Sequence, residues 1–436
     1  MYNTALFIVR HLREAGFESY LAGGCVRDNL MNLEPKDYDI VTDATPEAIE
    51  RIFPNHITVG KAFGVVIVIV NNYQFEVTTF RQDGKYSDSR RPDSVTFSDW
   101  KNDVLRRDFT INGMLFDPLN NKLLDIVGGE QDIKMKIIKT IGDPLRRFSE
   151  DKLRMMRAVR FACELNFNIE DKTEKAIKEL ASEITQVSFE RIRDELKIIL
   201  MSKNRARGIA LLFQFGLLRE ILPEVVAMDK IPQPPQFHSE GDVFTHTKLC
   251  LEYLENPSFE LALATLLHDI GKPHCFKITD RIRFNGHEKV GEIISEKICR
   301  RLKLSLSEID KVVYLVSNHM LLKDVRKMRQ ATLKRLIANR YFGDLLKLFR
   351  VDKLASDKDL TDLEFLEAKV KEFKKEELKP KPLIIGKDLI KLGLVPGPIF
   401  SEILRKVEDA QLEGEIKTKN EAIEFVKKTF ANFWKI

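Results

Sequence analysis

The spacing of apolar residues changes character near residue 148 and does not change back. Before that point, short runs rich in Val, Ile, Phe and Thr alternate with helical stretches. After it, EDKLRMMRAVRFACEL, SFERIRDELKIILM and NRARGIALLFQFGLL all carry helical spacing, as do the segments from about 242 to 360. A chain of 436 residues also exceeds what one small core absorbs. The switch therefore predicts an α/β domain at the N-terminal end and all-α regions behind it.

Within the first part, Tyr20-Leu21-Ala22 reads as a strand, and Gly23-Gly24 leads into a helix carrying Val26 and Leu30. Asp39 to Thr42 reads as the next strand. Thr45-Pro46-Glu47 opens a helix, with Thr as its cap and Pro at the first helical position. Residues 56–70 and 73–81 read as paired strands. Farther on, Pro232, Pro234 and Pro235 form a breaker cluster, and the lysine-rich stretch 369–381, with Pro380 and Pro382, reads as a connector. These marks divide the chain into 1–145, 146–232, 233–368 and a helical tail 369–436.

Composition excludes some classes. The longest strongly apolar run, Val65 to Val70, falls far short of the roughly 20 residues that span a membrane. The N-terminal MYNTALFIVRHLREAG is an amphipathic helix interrupted by charge, unlike a signal peptide. Five scattered cysteines, none in a C-x-x-C pair, predict neither a disulfide framework nor a zinc ribbon and fit a reducing cytoplasmic location. A net charge of +5 is compatible with a polyanionic partner without demanding one.

The first chemical centre is Asp37-Tyr38-Asp39. The period of two along a strand sends both carboxylates to one face, where they suit a hard cation such as Mg²⁺. Gly23-Gly24, a dozen residues earlier, precede a helix start, an arrangement that lets backbone approach a phosphate. Arg27 adds a guanidinium to that cradle. Glu76, on the strand FEVTTF, is a third candidate carboxylate. Metal carboxylates beside a triphosphate cradle are the parts of a nucleotidyl-transfer site.

The segment LAGGCVRDNLMNLEPKDYDIVT resembles the signature of the class II CCA-adding enzyme and bacterial poly(A) polymerase family: G-G-x-V-R-D, a spacer, then D-x-D. The resemblance continues in order. DGKYSDSRRPDSVTF is similar to the family's flexible loop. LRRDFTINGM is similar to its ribose- and phosphate-contacting motif, with Gly113 where alanine is common. DIVGGEQDI, EDKLRMMRAVRFA and SFERIRDEL are similar to the hinge, neck and final motifs, so that roughly residues 20–200 are covered. The family implies a polymerase-β-like mixed sheet followed by an all-α neck, body and HD-type helical region. It implies Asp37 and Asp39 as catalytic Mg²⁺ ligands, and Gly24, Arg27, Arg107 and Asp108 around the nucleotide.

At about 3.6 residues per turn, residues 150–163 form an amphipathic helix. Met155, Met156, Val159, Ala162 and Cys163 share one side; Arg154 and Arg157 lie opposite, flanked by Asp151 and Arg160. On spacing alone, Asp151 and Arg154 make an i,i+3 surface pair worth about 0.2–0.5 kcal/mol. The resemblance implies more: the pair reads the Watson–Crick edge of CTP or ATP, with Arg157 and Arg160 holding the nucleotide. An aspartate accepts from the exocyclic amine that C and A share, whereas G and U would leave buried groups unpaired.

Six of the eight histidines fall between 238 and 319. His268-Asp269 in TLLHDIGKP, with His246 upstream and Asp352 downstream, resembles the ligand set of HD metal-dependent phosphohydrolases. His287 and His319 match the extra ligands of two-metal members. Imidazole mixed with carboxylate suits a transition metal, and a metal-bound water would attack a phosphate ester.

The whole implies a template-independent tRNA nucleotidyltransferase that adds C, C and A to the tRNA 3′ end from CTP and ATP. Its rivals are a CC-adding or A-adding relative, a poly(A) polymerase, a phosphohydrolase whose first domain only binds nucleotide, and a tRNA-binding protein without chemistry. The loop at 83–97 weighs against a CC-only enzyme. VGKAFGVVIVIV lacks the basic pattern of bacterial poly(A) polymerases.

Overall fold

The computed structural model describes residues 1–58, 63–84, 94–234, 241–373 and 378–431. The central part of the expected loop, 85–93, lies outside the described residues, as do 59–62, Pro235 and 374–377 of the expected connector. The chain divides into two compact units: 1–227 with 300–303, and 228–299 with 304–436.

In the first unit, helix α1 (Tyr2–Glu14) buries Ala5, Ile8, Val9 and Leu12, one face of the amphipathic pattern. Then come β1 (Ser19–Ala22), α2 (Gly24–Leu30), β2 (Asp39–Thr42) and α3 (Pro46–Ile52). Thr45 caps α3 by accepting the Ala48 N–H, and Pro46 opens it. Strands β3 (His56–Ile57), β4 (Val65–Val70) and β5 (Tyr73–Thr79) follow, then the small β6–β7 pair (Arg81–Asp83, Val95–Phe97) and α4 (Trp100–Leu105). Strands β8 (Leu115–Asp117) and β9 (Lys122–Leu124) complete a seven-stranded sheet in the order β3-β4-β5-β2-β1-β8-β9.

The sheet is mixed: β2 runs parallel to β5 and antiparallel to β1. Register sets the chemistry. Ala22 pairs with Asp39 and Ile40 with Val77, so the end of β1, the start of β2 and Glu76 of β5 meet at one edge. Tyr20, Ala22, Val41, Phe80, Val104 and Leu115 form a core cluster behind that edge.

Beyond α5 (Gly129–Met135) the unit is helical, through α6 (Pro144–Glu150), α7 (Leu153–Leu165), α8 (Asp171–Leu180) and α9 (Phe189–Met201). A two-residue parallel pair, Ile137–Ile138 with Asn168–Ile169, ties the sheet-bearing part to the helical part. The expected single helix over 150–163 is instead two helices. Asp143 caps α6 and Pro144 opens it. The chain turns at Asp151 (φ −144°, ψ 105°), whose carboxylate accepts the Leu153 N–H at 3.1 Å. That local turn competes with a continuing helix.

The second unit contains α10 (Val243–Tyr253), α11 (Phe259–Leu267), α12 (His287–Arg301), α13 (Leu306–Asn318) and α14 (Phe342–Ala355). A short hairpin, Lys277–Ile278 with Ile282–Arg283, interrupts the helices. The expected boundary after 232 lies five residues beyond the change of unit at 227. The connector begins later than expected, because the helix Thr361–Glu372 runs into it. Helices over 386–391, 399–413 and 419–429 share a core that includes Leu389, Ile403, Val407 and Val426. No helix among the described residues is long and apolar enough to cross a membrane.

Candidate functional site

In the first unit a cleft of about 930 Å³ is lined by Gly23, Gly24, Arg27, Asp37, Asp39, Glu76, Arg107, Asp108, Asp151, Arg154, Arg157 and Arg160. Every residue that the sequence nominated for nucleotide transfer therefore faces one space. The carboxylates stand at the sheet edge. Asp39 begins β2, and Asp37 lies two residues before it, outside the strand. Gly23 turns the chain from β1 into α2 with φ +74°, a left-handed conformation that favours glycine. A Cβ there would lie 3.5 Å from both Asp39 Oδ2 and Arg107 Nη1, so this backbone sits against the carboxylate.

Burial, then the charges of Asp37 and Glu76, raise the Asp39 carboxyl to about 6; Arg107 only partly offsets them. Three acids sharing one edge fit a hard divalent cation, which would relieve their repulsion. The arginines around them are held by partners. Fully buried Asp103 takes Arg106 at 2.6 Å and Arg107 at 2.9 Å. Arg27 donates to Asn112 Oδ1 at 2.8 Å.

The neck supplies the opposite wall. Arg154 is 9% exposed rather than a surface residue; it donates to Glu150 at 2.8 Å and to the Arg147 carbonyl at 2.9 Å. The i,i+3 arrangement is replaced, because the turn at Asp151 aims its carboxylate elsewhere: Arg191 of α9 donates to Asp151 Oδ2 at 2.9 Å. Arg157 Nε donates to Asp108 Oδ2 at 2.8 Å. Although burial opposes ionisation, Arg157 holds the Asp108 carboxyl below its usual range. Arg160 pairs with Glu195 at 2.7 Å. The guanidinium groups of Arg160, Arg27 and Arg157 lie 4.2, 5.4 and 5.4 Å from the Phe161 ring centre, within cation–π reach. Sequence reasoning missed Asn112, Phe161 and Arg191. Each was legible only as part of a motif: LRRDFTINGM, EDKLRMMRAVRFA and SFERIRDEL respectively.

In the second unit, His246, His268, Asp269, His287, His319 and Asp352 converge. Asp269 Oδ2 is 3.2 Å from His268 Nε2, 3.9 Å from His246 Nε2 and 2.7 Å from Lys272 Nζ. Its Oδ1 is 3.4 Å from His287 Nε2 and 3.8 Å from His319 Nε2. Gly271 permits this: a Cβ there would meet the His287 carbonyl oxygen at 2.1 Å. His268, His287 and His319 each place Nδ1 within 2.7–2.9 Å of a backbone carbonyl three residues earlier. Donation from Nδ1 fixes the tautomer and turns the Nε2 lone pairs inward, the posture of metal-binding imidazoles. Burial, then the neighbouring His268, lowers His319 to about 3, which keeps it neutral. With both Nδ1 atoms donating, His287 and His319 Nε2 atoms 3.2 Å apart are suited to a shared cation.

Residues 19–139 match the family model described as "Poly A polymerase head domain", and 166–228 match "Probable RNA and SrmB- binding site of polymerase A". Residues 289–426, which include His319 and Asp352, match "tRNA nucleotidyltransferase domain 2 putative". Over 217 residues the chain is 43% identical to a CCA-adding enzyme of Geobacillus sp. (strain WCH70); that match spans about half of each chain, 50% of this one and 54% of the relative. It is 32% identical to the CCA-adding enzyme of Bacillus subtilis (strain 168), over 98% of this chain and 97% of the relative. The crystal structure of the Bacillus stearothermophilus CCA-adding enzyme in complex with CTP has a TM-score of 0.74 to it, at 27% identity and covering 99% of both chains. On this near full-length similarity, the chain belongs to the family of CCA-adding enzymes.

Proposed function

We propose that the protein completes tRNA 3′ ends with C, C and A, taking CTP and ATP as substrates and using no nucleic-acid template. The observation that carries this reading is the single cleft in which the acidic sheet edge, the Gly23-Gly24 turn and the arginine-lined neck face one another. Relatives across the full length are CCA-adding enzymes.

In this reading Asp37 and Asp39, with Glu76 beside them, hold Mg²⁺. The ion would neutralise the triphosphate and ease deprotonation of the tRNA 3′-hydroxyl. That hydroxyl attacks the α-phosphorus and pyrophosphate leaves. Arg27 and Arg107, fixed by Asn112 and Asp103, hold the phosphates beside the Gly23-Gly24 backbone. Asp151 accepts from the exocyclic amine of C or A, and Arg154 donates to the ring edge. Arg157 and Arg160 support the nucleotide from the neck. Five free cysteines fit work in a reducing cytoplasm.

Incubation with tRNAs ending before CCA, after C and after CC, using CTP and ATP separately, tests the assignment. Stepwise C, C and A addition supports it. Addition of C alone or A alone would assign a partial enzyme, and long A tracts a poly(A) polymerase.

We also propose that 233–368 is an HD-type domain holding a transition metal through His246, His268, Asp269 and Asp352, with His287 and His319 adjoining. The inward-facing Nε2 atoms support it, and a phosphate ester is the substrate class that the HD resemblance implies. His268→Ala with Asp269→Ala should lower bound metal and spare CTP and ATP incorporation; equal metal content would refute the ligand assignment.

A further inference from the structure

One buried side chain in the second unit is used by neither reading. Cys250 lies one helical turn after His246 on α10, fully buried, with Sγ 3.5 Å from His246 Nε2. The same nitrogen is 3.0 Å from Asp352 Oδ1. These neighbours make opposite demands. If His246 Nε2 carries a proton for Asp352, it cannot accept one from the thiol. If it accepts from the thiol, its lone pair faces a carboxylate. A cation placed among the three satisfies all of them.

A second, independent atom points into the same space. His268 Nε2 is buried without a hydrogen-bond partner, Asp269 Oδ2 at 3.2 Å being outside hydrogen-bonding geometry, while its Nδ1 bonds the Thr265 carbonyl. Ligand atoms of His246, Cys250, His268 and Asp352 all lie within 4.8 Å of one another. Tetrahedral zinc, with Zn–N of about 2.1 Å and Zn–S of about 2.3 Å, sets nitrogen and sulfur roughly 3.6 Å apart. The His246–Cys250 separation fits that spacing.

We infer that Cys250 is a metal ligand, joining His246, His268 and Asp352 around one thiophilic divalent cation of the Zn²⁺ class. Asp269, His287 and His319, whose ligand atoms also lie within 4.8 Å of one another, adjoin this group, and Asp269 Oδ2, 3.2 Å from His268 Nε2 and 3.9 Å from His246 Nε2, joins the two. The inference rests on reading this cluster as a metal centre. Sulfur among the ligands favours Zn²⁺ over Mg²⁺ or Mn²⁺. Asp269, His287 and His319 border a cleft of about 800 Å³ whose lining mixes Lys272, Arg283 and Lys323 with Glu288, Asp324, Asp357 and Asp362; of the group around Cys250, only Asp352 reaches that lining.

The test is cobalt substitution. Purified full-length protein, stripped with chelator and reloaded with Co²⁺, should show a thiolate-to-cobalt charge-transfer band in the near ultraviolet. Cys250→Ser should abolish the band, and Cys250→Ala should lower retained zinc by one equivalent. His287→Ala with His319→Ala should leave the band in place. The wild-type spectrum decides the matter even where a variant fails to fold. Bound cobalt without the band, or an unchanged band in Cys250→Ser, overturns the role of Cys250 and leaves the metal centre standing. Failure to retain either metal overturns the inference together with the reading beneath it.

Discussion

Arg191 on α9 reaches across forty positions of sequence to hold Asp151 Oδ2 at 2.9 Å, while the other oxygen of that carboxylate accepts the Leu153 N–H. A carboxylate fastened at both oxygens is pre-oriented, and orientation is what reading a base edge requires. Arg191→Ala should therefore narrow the preference for CTP and ATP over UTP and GTP by about tenfold, the scale of roughly 1.4 kcal/mol for a charge-assisted hydrogen bond. Ratios of kcat/KM for the four nucleotides measure this. A uniform fall in rate with unchanged ratios would make the contact a brace for the neck and nothing more.

Asp39 connects the site to pH. Its carboxyl is raised to about 6 in the folded chain, by burial first and then by Asp37 and Glu76. A raised acid binds its proton more tightly when folded, so its contribution to stability is greatest at low pH and is lost as pH rises through about 6. Mg²⁺ should reverse that loss. The Mg²⁺-induced rise in melting temperature should be larger at pH 7.5 than at pH 5, and Asp39→Asn should flatten the difference. An equal rise at both pH values would place the cation elsewhere.

Gly113 departs from the alanine usual in the family motif, and a methyl there would meet two side-chain ends. A Cβ at this position would stand 2.5 Å from Ile141 Cδ1 and 3.1 Å from Val127 Cγ2. Gly113→Ala should destabilise by about 1 kcal/mol through overpacking, and Ile141→Val, which removes the offending methyl, should restore the loss. Denaturant unfolding of the single and double variants measures the coupling. Simple additivity would show that the two side chains do not compete for that space.

What the sequence disclosed was chemistry that is local along the chain. Gly23-Gly24, Asp37 and Asp39 occur within seventeen residues, so a turn, a helix start and a strand could be read together. An α/β domain followed by helices was legible from the change in apolar spacing, and the mixed sheet only through the family resemblance. Contacts made across long separations were not: Arg27 to Asn112 and Asp151 to Arg191 leave no periodic trace. The break at Asp151 was hidden because the flanking residues keep helical spacing. The pair Ile137–Ile138 with Asn168–Ile169 is too short to alternate. Cys250 was treated as one of several scattered cysteines, although its i,i+4 relation to His246 on a helix was a usable signal.

The central claim is that Asp37 and Asp39 form the metal-binding edge of a CCA-adding site. The most direct measurement is single-turnover incorporation of CMP and AMP into tRNA lacking CCA, with Asp37→Ala and Asp39→Ala compared with wild type at saturating Mg²⁺. The account predicts a loss of at least about 10²-fold for either variant, with folding intact by circular dichroism. Near-normal turnover in either variant would contradict it.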